Sequence, residues 1–141
     1  MKIKMISLII LAAVNSSMFA QHSLSVEVTG VEPGKGYVFL GLYDKEKGFL
    51  DHASQIATAK VKAAENKLVY TFKNLPDGDY AIAVYQDVND NGKCDRSIIG
   101  YPTEGFGFSK NYKPKLSAPD FDDVKIAVNQ YAKTSIALIG K

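Results

Sequence analysis

The chain has 141 residues, room for one domain, with 17 Lys and Arg against 15 Asp and Glu and a single cysteine, Cys94. One cysteine excludes an intrachain disulfide framework. The charge pattern excludes a basic nucleic-acid footprint, because Lys110, Lys113 and Lys115 are followed closely by Asp120, Asp122 and Asp123.

Residues 1–20 have the three parts of a secretory signal peptide. Lys2 and Lys4 make a basic start, Met5 to Val14 is an apolar run interrupted only by Ser7, and a more polar stretch ends on the small Ala20. The apolar run is too short for a membrane span, which needs about 20 residues. Cleavage is expected after Ala20, although Met18 is bulkier than the usual residue near such a cut. The alternative is a buried N-terminal helix. No cysteine follows the run, so no lipid anchor is expected. Removing Lys2 and Lys4 from the 17 basic residues leaves 15 against 15 acids over residues 21–141, a formally neutral chain. Its expected place is the periplasm or the cell exterior.

Beyond residue 20 the dominant period is two. Leu24, Val26 and Val28 alternate with polar residues, as in a strand with one buried face. Glu32-Pro-Gly-Lys-Gly36 is turn chemistry. Tyr37 to Tyr43 is apolar on both faces, as a central strand would be. Asp44 to Gln55 reads as a loop. Ala57 to Ala63 alternates small apolar and polar residues; a short helix is the competing reading, and the flanking strand patterns favour strand. Leu68, Tyr70 and Phe72 then suggest the second arm of a hairpin. Leu75-Pro-Asp-Gly78 is a turn, and Tyr80, Ile82 and Val84 line one face of a further strand. Val124, Ile126 and Val128 alternate again, and Thr134 to Ile139 closes the chain with Ile136 and Leu138 on one side. About seven strands and no long helix predict an all-β fold: an antiparallel immunoglobulin-like or transthyretin-like β-sandwich over residues 21–141.

Asp87-Val-Asn89-Asp-Asn91-Gly-Lys93-Cys-Asp95 is the sharpest local signal. Oxygen side chains recur at positions 1, 3 and 5, glycine stands at 6, and another carboxylate at 9. Calcium takes six to eight oxygens, and a tight loop supplies them from alternate residues. Asp87, Asn89, Asn91, the Lys93 carbonyl and Asp95 are the predicted ligands. Ile98 stands where an EF-hand has its bidentate glutamate, so a weak site is expected, about 0.1–1 mM as in extracellular modules. The alternative is a bare turn, since Asn91-Gly92 is a favoured type I′ pair.

Ile99 to Tyr112 follows, with aromatics interleaved among Gly100, Gly105 and Gly107. Such a long loop is usually functional or disordered, and disordered segments are poor in aromatics. It is therefore read as ordered. Tyr101, Glu104, Phe106, Phe108 and Tyr112 are the candidate binding residues. Alternatively, Phe106 and Phe108 cap an open end of the sandwich. Tyr101 and Glu104 are expected to stay exposed. His22 and His52 are the only histidines and make no zinc-binding pattern. No nucleophile-elbow motif is present. Nothing in the sequence lowers the Cys94 pKa, so a quiet thiol is expected.

Asn74-Leu-Pro-Asp-Gly-Asp-Tyr-Ala-Ile-Ala-Val-Tyr-Gln-Asp-Val-Asn-Asp-Asn-Gly-Lys93, then Gly100-Tyr-Pro-Thr-Glu-Gly-Phe-Gly-Phe-Ser109, resembles an exported bacterial family known as domain-of-unknown-function family 2141. The likeness runs over nearly all of residues 21–141, including the strand at Gly36 to Leu42. It implies an exported β-sandwich and no established activity. The Leu75-Pro-x-Gly-x-Tyr80 element is also similar to transthyretin-like and carboxypeptidase-regulatory sandwiches, which bears on fold alone. Cys94 and Gln86 depart from the family pattern, which often has leucine and histidine there. Two functions follow as expectations. One is a binding or accessory module whose calcium-stiffened loop presents Tyr101 to Tyr112 to a cell-envelope ligand or partner protein. The other is a hydrolase of envelope material using Glu104 or Asp95 as acid or base.

Overall fold

The computed structural model describes residues 21–140; the predicted signal segment, residues 1–20, lies outside them. Eight strands are present among the described residues: β1 (His22–Thr29), β2 (Tyr37–Tyr43), β3 (Ala57–Lys62), β4 (Lys67–Leu75), β5 (Gly78–Asp87), β6 (Phe106–Phe108), β7 (Ile126–Val128) and β8 (Ala132–Ala137). They form a three-stranded sheet, β4-β1-β8, and a five-stranded sheet, β3-β2-β5-β6 with β7 on β5. The all-β sandwich predicted from the alternation is the observed fold.

The alternating residues are the core. Leu24, Val26 and Val28 of β1 face Val38, Leu40 and Leu42 of β2 and Ile82 and Val84 of β5, with Phe72 and Ile136 completing the layer between the sheets. Each fully buried aliphatic side chain of this kind contributes about 1.5–3 kcal/mol of transfer free energy. Tyr37 to Tyr43, apolar on both faces, is indeed central, paired with β3 on one edge and β5 on the other.

Three expectations need correction. The segments 57–62 and 67–75 do not form a hairpin. Each pairs with a strand of a different sheet, β3 with β2 and β4 with β1. The turn between them crosses the sandwich end, held by Gly34 N–H to Ala63 O (2.6 Å) and Val31 N–H to Asn66 O (3.1 Å). Hairpin and crossover present the same alternation, so periodicity does not separate them. Nor is the sandwich wholly antiparallel, because β1 and β8 run parallel from Leu24↔Ala132 to Thr29↔Ala137. Val124 ends a four-residue helix, α1 (Phe121–Val124), rather than belonging to a strand; Asp120 N–H donates to Asp123 Oδ2 (3.1 Å) at its start. The eighth strand, β6, is a three-residue piece too short to show a period.

A second apolar cluster covers the outer face of the five-stranded sheet. It contains Tyr43, Ala81, Phe106, Phe108, Phe121 and Val124, with Phe49, Leu50, Tyr85 and Tyr112 against it. The long segment between β5 and β7 therefore folds back over that sheet. Ser109 pins it down. Its Oγ accepts from Ile82 N–H (2.9 Å) and donates to Val124 O (2.7 Å), filling the gap on β5 between its pairings with β7 and β6.

Candidate functional site

The outer face of β2 and β5 carries a step pattern. In register, Phe39 lies opposite Tyr85, Gly41 opposite Ala83, and Tyr43 opposite Ala81. Phe39 and Tyr85 stack with centroids 5.3 Å apart and planes 6° apart. The small Gly41–Ala83 pair beside them leaves a trough. Gln55 reaches over Gly41, where any Cβ would meet its amide, and Gln55 Nε2 donates to the Tyr43 hydroxyl (3.0 Å). Gly41 is required there by close approach, not by backbone angle.

The trough is the base of a cleft of about 370 Å³. One wall is the 50–55 loop, with Leu50, His52 and Gln55. The other is the end of the Asp-Asn loop and the segment after it, with Cys94, Arg96 and Tyr101. Phe106, Phe108 and the stretch 114–118 close it. His52 meets Tyr85 edge-on at 6.4 Å, and Tyr101 meets Phe106 edge-on at 5.6 Å. Ile99, Tyr101 and Leu116 stand exposed around this cleft.

Charges of both signs act on the cleft. Burial first, then the negative charge of Asp87, pushes the Tyr85 hydroxyl up to about 12. Burial first, then Glu104, pushes the Cys94 thiol up to about 11. Both stay neutral at neutral pH. Among the described residues no Asp or Glu lines the cleft, whereas Arg96 and Lys115 do.

The wall is organised by two carboxylates. Asp87, fully buried at the end of β5, accepts Asn91 N–H at Oδ1 (3.0 Å) and Gly92 N–H at Oδ2 (2.7 Å). Glu104 accepts Val88 N–H at Oε1 (2.9 Å) and Asp95 N–H at Oε2 (3.0 Å), tying the two ends of the loop together. The expectation that Glu104 stays exposed is therefore corrected: it is buried, 8 % exposed, because those two amides need its oxygens. Asp95 accepts Asn89 Nδ2–H (2.7 Å) and Asn91 Nδ2–H (2.8 Å), and these bonds hold its carboxyl below the ordinary range. Lys93 N–H donates to Asn91 Oδ1 (3.1 Å). Positive φ falls at Asp90 and Gly92, with Asn91 between them, so the loop is not a type I′ turn at Asn91-Gly92. It winds around the Asp87 carboxylate instead.

The structure thus brings Asp87, Asn89, Asn91, Lys93 and Asp95 into one hydrogen-bonded loop. Among the described residues no three His, Cys, Asp or Glu side chains converge as a metal site. Of the candidate binding residues, Tyr101, Phe106 and Phe108 line the cleft, and Tyr101 is 51 % exposed as expected. Phe106 and Phe108 are buried on the sheet's outer face rather than at an end of the sandwich. Tyr112 packs beneath, in the second cluster. The cleft's base, Phe39, Gly41, Ala83 and Tyr85, went unread as a site. The signal was present in a strand with large, small and large residues on its outer face. Gln86 is a turn clamp: Oε1 accepts Glu32 N–H (2.8 Å), and Nε2 donates to Glu32 O (2.9 Å) and Lys35 O (2.7 Å).

Neither a curated protein nor a solved structure matched the chain. A family model described as an uncharacterized protein conserved in bacteria, DUF2141, matches residues 26–136. That span runs from the core face of β1 to the core face of β8 and takes in the trough, the Asp-Asn loop and both cleft walls. The chain belongs to the DUF2141 family.

Proposed function

We propose that this protein is an exported binding module that holds a compact ligand in the cleft on the outer face of its five-stranded sheet. The cleft itself carries the reading. Its volume lies in the about 300–1,000 Å³ range of small-molecule sites, and such sites are mostly apolar with a few placed polar groups. Here the apolar part is Phe39, Tyr85, Phe106 and Phe108, and the polar groups are Gln55, His52, Arg96 and Lys115.

Calcium is the second part of the proposal, as the stiffener of one wall. Asp87 spends one lone pair of each oxygen on an amide, and a carboxylate offers about four such sites. Turning the Asn89 and Asn91 amides over would replace two N–H donors facing Asp95 with two oxygens. With only two carboxylates, the affinity belongs in the millimolar range of extracellular loops, about 0.1–1 mM. The same wall leads directly into Cys94 and Arg96.

Export is tested by the mass of the protein recovered from the cell envelope or medium. A chain beginning at Gln21 without lipid is expected, and a chain retaining Met1 would remove the compartment from the proposal. Binding and calcium are tested by melting curves on metal-free protein. Calcium at about ten times Kd stabilises by about 1.4 kcal/mol, a rise of a few degrees. Asp95→Asn should abolish the rise and Asp90→Asn should keep it, because Asp90 instead pairs with Lys60 (2.7 Å). A flat calcium response in the parent would leave the loop a purely hydrogen-bonded turn. An apolar fluorescent probe should bind the parent and not Gly41→Val, whose side chain would displace Gln55 into the trough. Equal binding to both would remove the cleft from the reading.

A further inference from the structure

The cleft's charge narrows what it takes. Arg96 and Lys115 line it, both exposed, and neither is paired with a carboxylate among the described residues. Arg96 makes one long bond, to the Gly100 carbonyl (3.4 Å). The nearby carboxylates are turned to other work. Asp51 accepts Ala53 N–H, Asp87 and Glu104 accept loop amides, and Asp95 accepts the two asparagine amides. These carboxylates keep their negative charge, which helps raise Tyr85 and Cys94 in the cleft, but none of them pairs with Arg96 or Lys115. Inside, six aromatic rings line the space: Phe39, Tyr43, Tyr85, Tyr101, Phe106 and Phe108. Aromatic pairs add about 0.5–1.5 kcal/mol beyond area burial, which favours an aromatic body over an aliphatic one of the same size.

We propose that the ligand is a compact aromatic anion, its ring system over the Gly41–Ala83 trough and its carboxylate at Arg96 and Lys115. This rests on the cleft being a binding site. Arginine suits the head group because its planar fork matches a carboxylate's two oxygens. The small pair sets the depth and the two cations set the sign of charge.

The test uses three probes with one body and different heads: 2-naphthoate, 2-naphthamide and 2-naphthylmethylammonium, each titrated into purified protein by calorimetry. Naphthoate should bind about five- to tenfold more tightly than the amide, the gain expected of two partly exposed charge contacts. The ammonium should bind weakest. In Arg96→Gln/Lys115→Gln that preference for the anion should fall to within about twofold. Lys73→Gln/Lys133→Gln, which removes equal charge from the opposite sheet, should keep it. Equal affinities for all three probes in the parent would overturn the anion assignment and leave the cleft standing. Binding of none would overturn both. A dimer in sedimentation that Leu116→Glu dissociates and that excludes the probes would assign the cleft to a second copy of the chain instead.

Discussion

Two buried carboxylates, Asp87 and Glu104, do the work that a longer strand would do elsewhere. Between them they accept four backbone N–H groups of residues 88–95. Removing an acceptor leaves two part-buried N–H donors without their partner, at about 1–3 kcal/mol for each site. Asp87→Ala and Glu104→Ala should each lower stability by about 2–4 kcal/mol in urea melts, with or without calcium. Asp87 is therefore a poor probe of ion binding, and Asp95 a good one. Cys94 supplies a second prediction at this scale. Its thiol is held at about 11 against an ordinary 9.0. At pH 8 the folded protein should be alkylated about a hundredfold more slowly than a free thiol, since only the thiolate reacts. The group contributes stability that is intact below pH 9 and lost as pH rises through about 11, so Cys94→Ser should soften the alkaline decline in melting temperature. Iodoacetamide labelling and pH-dependent melts measure both. The Asp-Asn pattern was legible because each residue type has one obvious chemistry. Glu104 was not, because nothing in a sequence says which distant amides a carboxylate will meet.

At the scale of elements, the turn from β4 to β5 shows how a short motif stores a crossing. Leu75 ends one sheet, Gly78 starts the other, and the Tyr80 hydroxyl donates back to Pro76 O (2.8 Å). This is the geometry of a tyrosine corner, four residues back along the chain. Tyr80→Phe should cost about 1 kcal/mol, near 3–5 °C in melting temperature, with the ring still packed. An unchanged melt would make the bond incidental. Six of the predicted strands stand close to where the alternation put them, because one buried face forces period two. What alternation does not carry is partner choice. Residues 57–75 read alike as a hairpin or as two strands in different sheets, and the distinction lies in contacts with residues 31–36. The cleft was hidden for the same reason. Gly41 and Ala83 are 42 positions apart in sequence and become neighbours only through the register of β2 on β5.

Across the whole molecule, the two layers divide labour. The core between the sheets holds the fold, and the outer cluster holds the long segment that makes the cleft. Gly36 joins them. A Cβ there would collide with the Asp87 carbonyl, so the turn before β2 packs on the root of the Asp-Asn loop. The parallel β1–β8 pair also fixes how the molecule answers force. The chain enters at the start of β1 and leaves beyond the end of β8, six paired positions lying side by side between. Tension applied through residues 22 and 139 pulls these neighbours along their own axes in opposite directions. Their ladder is loaded in shear, every bond sharing the strain, rather than peeled open one rung at a time. Stretched in a force spectrometer from those two points, the domain should hold until the ladder fails together, and should yield at distinctly lower force when pulled from residue 22 and the β4–β5 connection, a geometry that unzips the antiparallel β1–β4 pair from the end where His22 lies opposite Leu75.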